Sequence, residues 1–411
     1  MNWLKRWRGE KMGKPNIRFK GYTEDWEQRK LGDVAEYRNG KAHENEIDDD
    51  GEYIVVNSKF VSTNGEIKKF SNAQNEPLYE NEIAFVLSDV PNGRAIARTF
   101  LIEKSGKYTL NQRIAGITPH EDTDPYYLHI KMNRNAYFLK FDDGNKQTNL
   151  SIKDVLNYED MYPNYKEQQK IGNYFRSLDH LITLHQRKYD ETKKLKKCML
   201  QKMFPKEGEK VPEIRFSGFT GDWKQRKFGD MVIIERGGSP RPIDKFITED
   251  ENGLSWVKIG DAPEQGNYIT RTKEKIKTEG LSKTREVHPG DLILSNSMSF
   301  GRPYIMAIDG CIHDGWLLIR DHEKKFDLKY LCCMLGTDMM LFQYKQMAAG
   351  NTVNNLNKEL VGNTVVKYPS PAEQSKIGVY FSTLDGIITL HKKKCDELRN
   401  IKKFMLQNMF I

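Results

Sequence analysis

The sequence predicts a mixed α/β chain, with two globular domains containing mixed β-sheets and two long helices, arranged as an internal repeat. Two pairs of near copies indicate the repeat. Residues 15–33 and 212–230 are identical at 13 of 19 positions, and residues 167–204 and 373–410 at 23 of 38. The intervening segments contain short β-branched runs separated by Gly, Asn and Pro, a pattern typical of strands.

The regions between the near copies, residues 34–143 and 231–349, are almost unrelated to each other. Random drift after a duplication would change all segments to a similar extent. Here the near copies, which we call the frame, are retained, whereas the segments between them, which we call the inserts, differ. We interpret this as one scaffold that presents two different recognition surfaces. The predicted organisation is an N-terminal tail (1–14), a first domain (15–163), a first long helix (164–205), a second domain (206–369) and a second long helix (370–411).

The long helices follow from an apolar seam in which residues recur at alternating steps of four and three. Asn164 with Glu167, and Ser370 with Glu373, predict their starts as N-caps or capping boxes. Matching seams predict that the helices pack on each other. The proposed interface residues are Ile171, Phe175, Leu178 and Ile182 in the first helix, and Ile377, Phe381, Leu384 and Ile388 in the second. Leu195, Met199 and Met203, and Ile401, Met405 and Met409, extend the two seams.

Two histidines, His185 and His391, occupy equivalent positions in the seams. We interpret them as tolerated polar residues that fix the helix register. A metal site or a pH-sensitive site is the alternative.

Composition narrows the class of protein. The 411 residues are 38% hydrophobic and carry a net charge of +8, which permits a polyanionic partner. There is no apolar run of membrane-spanning length and no secretory signal. The five cysteines are odd in number and form no CxxC, so the sequence predicts a cytoplasmic protein without disulfides or a zinc site.

Catalytic motifs are missing from the sequence. No GxGxxG or P-loop occurs, and we expect neither a cofactor nor a metal in this chain. Asp314, followed by Glu323-Lys324-Lys325, is a weak imitation of a carboxylate nuclease motif. It has no counterpart in the first insert, so a stand-alone nuclease is a minor alternative.

The two domains are instead rich in side chains that suit DNA. Arg pairs with the major-groove edge of guanine and Asn or Gln with that of adenine, while Lys suits phosphates. The candidate DNA-binding residues are Lys59, Arg94, Gln112, Arg113, Lys146 and Asn149 in the first domain, and Arg236, Lys258, Asn296, Arg302, Asn351 and Asn354 in the second.

Several motifs together resemble the specificity subunits of type I restriction-modification systems. They are Pro-x-Ile-Arg-Phe-x-Gly-Phe/Tyr-Thr-x-Asp-Trp from residues 15 and 212, Pro-x-x-x-Glu-Gln-x-x-Ile-x-x-x-Phe-x-x-Leu-Asp at 163–179 and 369–385, and the preceding Gly-Asn-x-x-x-Asn-Leu. The resemblance covers the chain from Pro15 onward, and residues 1–14 fit no pattern of the family.

The resemblance implies that each domain is a target recognition domain that reads half of a bipartite, asymmetric double-stranded DNA site. It implies that the helices form an antiparallel coiled coil with pseudo-two-fold symmetry and set the gap between the half-sites. Two modification subunits would bring S-adenosylmethionine and methylate adenine, and motor-nuclease restriction subunits would use ATP and Mg²⁺. A methylase-only system and a protein-binding coiled-coil adaptor are the remaining alternatives.

Overall fold

The computed structural model describes residues 14–43, 45–91, 93–296, 300–348 and 356–410. The predicted tail up to residue 13 lies outside them. The chain divides into two compact units, one formed by residues up to 183 together with those from 396 onward, the other by residues 184–395. Each long helix therefore contributes one part to each unit.

The chain up to the end of the first long helix alternates short strands and short helices. Its elements are β1 (Glu27–Lys30), α1 (Leu31–Val34), β2 (Ala35–Asn39), β3 (Tyr53–Val56), α2 (Ser58–Ser62), β4 (Phe70–Ser71), β5 (Pro77–Leu78), β6 (Ile83–Val86), β7 (Ser88–Asp89), β8 (Thr99–Leu101), β9 (Tyr108–Leu110), β10 (Ile114–Pro119), α3 (Pro125–Met132), α4 (Ala136–Leu139), β11 (Thr148–Asn149), α5 (Ile152–Leu156), β12 (Glu159–Tyr162) and α6 (Tyr165–Lys202).

The remainder repeats this plan. Its elements are β13 (Lys224–Lys227), β14 (Ile233–Arg236), β15 (Ile247–Thr248), β16 (Leu254–Val257), β17 (Tyr268–Ile269), β18 (Glu274–Ile276), β19 (Arg285–Val287), β20 (Leu292–Ser295), β21 (Pro303–Met306), β22 (Gly310–Ile312), β23 (Trp316–Arg320), α7 (Leu328–Leu335), α8 (Asp338–Ala348), α9 (Lys358–Gly362), β24 (Val365–Tyr368) and α10 (Pro371–Asn408).

Each unit contains two larger sheets. In the first unit the orders are β2-β10-β6-β8, all antiparallel, and β4-β3-β9-β5, in which β3 and β9 run parallel. In the second unit they are β14-β23-β20-β21-β17 and β15-β18-β16-β22-β19, each with one parallel pair. The predicted mixed α/β fold with a duplicated frame is confirmed.

The same antiparallel strand pair, which we call the clamp, joins the start and the end of the domain in both units. The strand that opens each domain pairs antiparallel with the strand just before the long helix, β1 with β12 and β13 with β24. Beside each clamp an arginine forms a bidentate ion pair with a buried glutamate in the first turn of the helix. Arg18 lies 2.7 Å from both carboxylate oxygens of Glu167, and Arg215 lies 2.7 and 2.8 Å from those of Glu373.

These ion pairs correct one prediction. In both predicted capping boxes the glutamate is engaged elsewhere, Glu167 with Arg18 and Glu373 with Arg215, and at the second helix the backbone N–H of Glu373 donates to the carbonyl of Ser370. At the other helix start, the Asn164 side chain accepts from the backbone N–H of Glu167 as predicted.

Within the second unit the two helices run antiparallel. The Nδ1 atoms of His185 and His391 lie 2.8 Å apart, and Lys196 forms an ion pair with Asp385. The first unit contains the equivalent ion pair, between Lys402 and Asp179. Because a hydrogen bond between two Nδ1 atoms needs one donor and one acceptor, the histidine pair fixes the register when at least one ring is neutral.

Two seam assignments are wrong. Leu195 and Ile401 are 43% and 45% exposed. The seam passes instead through the neighbouring residues Lys196 and Lys402, which are half-buried and neutralised by aspartates across the helix pair. A lysine can occupy such a position because its long apolar stem packs while its ammonium group reaches the partner carboxylate.

The seam residues nearest the start of each helix also belong to a domain core. Ile171, Phe175 and Leu178 pack in the core of the first unit, which includes Met409 near the end of α10. The aromatic ring of Phe410 lies 5.9 Å from that of Phe175. The second unit repeats this arrangement with the equivalent residues of both helices, namely Ile377, Phe381 and Leu384 with Met203 and Phe204.

A buried lysine distinguishes the two cores. The Lys131 ammonium group is surrounded by aromatic rings, donates to the carbonyl of Met161 and pairs with Asp160 at 3.0 Å. Its side chain is 1% exposed. At the equivalent position of α7 the second unit has Met334, which is also buried.

We therefore expect the double variant Lys131→Met/Asp160→Val, which installs the equivalent buried residues Met334 and Val366 of the second unit, to change the free energy of unfolding by less than about 1 kcal/mol, because a well-packed apolar pair can replace a buried ion pair. Lys131→Ala should lower it by about 2–4 kcal/mol, since it leaves a cavity and an unpaired buried carboxylate. Urea denaturation of the two variants measures the difference. Equal losses would show that the ammonium group itself stabilises the core.

Candidate nucleic-acid interface

In the first unit, candidate residues gather where the central strand β6 ends. The following strand β7 pairs with β11, so Ser88 lies opposite Asn149. The Gln147 side chain donates to the Ser88 hydroxyl at 2.8 Å, and the backbone N–H of Leu87 donates to the carbonyl of Arg113. The structure thus brings together Arg113 and Asn149, which are 36 residues apart in the sequence, and both side chains are exposed.

The loop after β7 is held by a single carboxylate. Asp89 accepts hydrogen bonds from the backbone N–H groups of Val90, Ala95 and Ile96. A Cβ atom on Gly93 would lie 2.1 Å from the Asp89 carboxyl group, so this position requires glycine. The loop therefore presents the neighbouring Arg94 in a fixed conformation.

Three guanidinium groups lie on or beside this loop, those of Arg94, Arg98 and Arg134. We call them the arginine cluster. Arg98 donates to the carbonyl of Arg94 and Arg134 to that of Ile96. Burial lowers the pKa of Arg98, and the charges of Arg134 and Arg94 lower it further. In the described part of the chain, none of the three forms an ion pair with a carboxylate. Such an unneutralised cluster is suited to an anion.

The second unit has a different polar cluster at the equivalent strand end, after β20. Asn296 is 1% exposed, and its Nδ2 donates to the carbonyl of Asp314 at 2.7 Å. Its Oδ1 atom is buried and, within the described residues, has no hydrogen-bond partner. A buried amide oxygen without a partner is costly unless something binds it.

Cations surround this cluster. Arg236 donates to the Asp314 carbonyl, and Ser239 donates to the Asp314 carboxylate. The His313 ring contacts Trp256 edge to face at 5.6 Å. Burial lowers the pKa of His313, and the nearby charges of Lys258, Arg241 and Arg236 lower it further, although Asp314 opposes them. His313 is therefore neutral at pH 7, and its Nδ1 atom accepts from the backbone N–H of Gly315, which leaves the Nε2 N–H as a donor.

The remaining candidates differ in their surroundings. Lys59, Gln112 and Lys146 are exposed. The Nη2 atom of Arg302 donates to the backbone carbonyls of Glu264 and Gly266, and the guanidinium group lies over the Tyr304 ring at 5.0 Å from its centre. Asn351 and Asn354 lie outside the described residues. Sequence reasoning singled out neither Arg134 nor His313, whose neighbours come from distant segments.

The carboxylates of the weak nuclease pattern are not assembled. Asp314 precedes β23 and Glu323 follows it, so the five residues of that strand separate them. Glu323 forms an ion pair with Lys325. Among the described residues, no group of three or more potential ligands could hold a metal ion. None of the described helices has the length and hydrophobicity to span a membrane.

Comparison with known proteins agrees with the duplicated frame. Residues 23–194 and 220–400 match the family model described as the type I restriction modification DNA specificity domain. The chain is 22% identical to the type I restriction enzyme MjaVIII specificity subunit of Methanocaldococcus jannaschii, over 92% of this chain and 91% of the relative.

Two further matches cover most of the chain. The putative type I restriction enzyme MjaX specificity subunit of the same organism is also 22% identical, over 92% of this chain and 91% of the relative. The crystal structure of a type I restriction-modification S subunit from M. genitalium matches with a TM-score of 0.67 and 16% identity. That match covers 97% of this chain and 99% of the other, and it shows the shared fold.

Proposed function

Because this chain belongs to the type I restriction modification DNA specificity family, as a specificity subunit and not an enzyme, we propose that its two units read the two halves of a bipartite, asymmetric DNA site. Partner subunits would then methylate adenine or cut at the directed site. The supporting observation is a difference between two equivalent places. Each unit has one polar cluster at the end of its equivalent central strand, and the two clusters differ in composition.

In the first unit we assign two roles. The arginine cluster supplies charge for phosphates and, through a bidentate guanidinium group, for guanine. Gln147 and Asn149 are exposed amides beside it, of the type that reads the adenine edge. Phosphate contacts would set the position of the domain on the duplex, and base contacts would set its sequence preference.

In the second unit the recognition chemistry differs. The buried Oδ1 atom of Asn296 is an acceptor, and the Nε2 N–H of the neutral His313 imidazole is a donor, because the Nδ1 atom already accepts from the backbone N–H of Gly315. Arg236 and Arg241 supply positive charge around them, whereas the ammonium group of Lys258 is paired with Glu274. Different donors and acceptors in the two units would read different bases, which makes the whole site asymmetric.

The long helices supply the partner surface. They expose apolar side chains at three pairs of equivalent positions, all more than a third exposed: Leu181 and Ile387, Leu184 and Leu390, and Leu195 and Ile401. A repeated apolar surface suits two copies of one partner, which we assign as modification subunits. These would bring S-adenosylmethionine, and the restriction subunits would use ATP and Mg²⁺.

An exchange of inserts tests the proposal. We expect that replacing residues 34–143 with the insert of another specificity subunit changes one methylated half-site, while the other half-site and the gap stay the same. Sequencing of methylated adenines, in cells that carry the variant with its modification subunit, measures this. The reciprocal exchange of 231–349 is the matched control and should change only the other half-site. A change in both half-sites from one exchange would contradict modular reading.

A further inference from the structure

A cavity of about 480 Å³ opens in the second unit between α10 and the domain, within the range of about 300–1,000 Å³ typical of ligand pockets. We call it the socket. Asp385 lines it, together with Tyr268 and Cys333. Asp385 also receives a hydrogen bond from Lys196, which holds its carboxylate in place.

The first unit shows what fills the equivalent space. There the hydroxyl group of Tyr126 donates to Asp179, the counterpart of Asp385, at 2.8 Å. The guanidinium group of Arg176 lies over the Tyr126 ring at 4.8 Å from its centre, and the His129 ring packs 5.5 Å away. A phenol ring thus closes this site in the first unit.

The second unit has retained the carboxylate, as Asp385, but has no tyrosine equivalent to Tyr126. Lys329 stands where the first unit has Tyr126, and Ser382 and Cys332 replace Arg176 and His129. Gly386 replaces His180, and a Cβ atom at this glycine would meet nothing within 4 Å. Two of the four replacements lie on long helices that are otherwise near copies, and together the four changes around one retained acceptor create the cavity.

We propose that the socket receives a tyrosine side chain of the modification subunit, whose hydroxyl donates to Asp385. Only the identity of that subunit rests on the proposed function. Leu390 lines the socket, is 54% exposed and belongs to the apolar surface assigned above to that partner. Lys329 and Lys393 also line it, so the tyrosine should lie in an acidic segment.

Binding of p-cresol, the side chain of tyrosine, tests the socket on the full chain by ligand-observed NMR. We expect a dissociation constant on the order of 1 mM, and at least about tenfold weaker binding of toluene, which lacks the hydroxyl donor. The double variant Lys329→Tyr/Ser382→Arg, which installs the residues of the first unit, should lose p-cresol binding. Absence of binding to the wild type, or equal binding to both proteins, would refute the socket.

The partner is tested by titrating the modification subunit without DNA. We expect the double variant to bind it about 30-fold more weakly, the effect of losing one buried tyrosine anchor. Gly386→His is a second variant that narrows the socket without filling it, and it should weaken both p-cresol and partner binding. A folded double variant that assembles like the wild type would overturn the assignment of the tyrosine. Failure of the wild type to assemble at all would instead contradict the proposed function.

Discussion

Replacing Arg94, Arg98 and Arg134 together with glutamine should weaken DNA binding by the assembled complex on the order of 10²-fold at physiological salt. The three guanidinium groups form a cluster without a carboxylate partner in the described structure, so their charge is available to phosphates. The slope of log affinity against log salt should fall by about 2–3, because each lost phosphate contact removes about one released counterion. Fluorescence anisotropy across a salt series measures both quantities.

Arg29 provides the matched control in the same unit. Its guanidinium group is already paired with Asp122 at 2.8 Å. Arg29→Gln removes one positive charge and should leave the salt slope unchanged within about 0.5. Converting the arginine cluster to lysine should retain most of the slope and lose sequence preference, since lysine lacks the bidentate fork. An unchanged slope in the triple glutamine variant would place DNA elsewhere on the unit.

The second large effect concerns stability. Arg215→Ala should lower the free energy of unfolding by about 3–5 kcal/mol, because it leaves the carboxylate of Glu373, which is 1% exposed, buried without its partner. Chemical denaturation at pH 7 measures the loss. Arg215→Lys keeps the positive charge but loses the bidentate geometry of the guanidinium group. Its free energy of unfolding should therefore lie between those of Arg215→Ala and the wild type.

The equivalent ion pair in the first unit supplies the comparison. Arg18→Ala should cost a similar amount, because Glu167 is equally buried. Since the two pairs lie in different units, the double variant should show the sum of the two losses to within about 0.5 kcal/mol. A loss below about 1 kcal/mol for both single variants would show that water reaches the carboxylates.

The sequence predicted the long helices because their signal is repeated and periodic. The seam from Ile171 to Leu178 is regular, and a second copy confirms each position. The prediction was wrong at Leu195, because the sequence alone does not distinguish a lysine that pairs with a half-buried aspartate, such as Lys196, from a solvated lysine. The predicted role of Glu373 in a capping box was wrong because its actual partner, Arg215, is 158 residues away in the sequence.

The candidate interface was only partly predictable. Arg94 was predicted as a DNA-binding residue because arginine suits the guanine edge. Arg134 lies 40 residues later and joins the cluster because its backbone N–H donates to the carbonyl of Ala97. Arg302 also follows a glycine, yet the fold places its guanidinium group against the Tyr304 ring and two backbone carbonyls rather than beside other arginines. Composition identifies groups that suit DNA, but the fold decides which of them remain available.

The ion pairs between the long helices have one more consequence. The first helix carries both Asp179 and Lys196, which are the counterparts of Asp385 and Lys402. A fragment containing residues 14–204 therefore holds both halves of this contact, and its Met203 and Phe204 match the Met409 and Phe410 that complete the core of the first unit. Two such fragments can pair antiparallel as a homodimer through a self-complementary seam. With two identical reading domains, this homodimer would direct modification to a palindromic site.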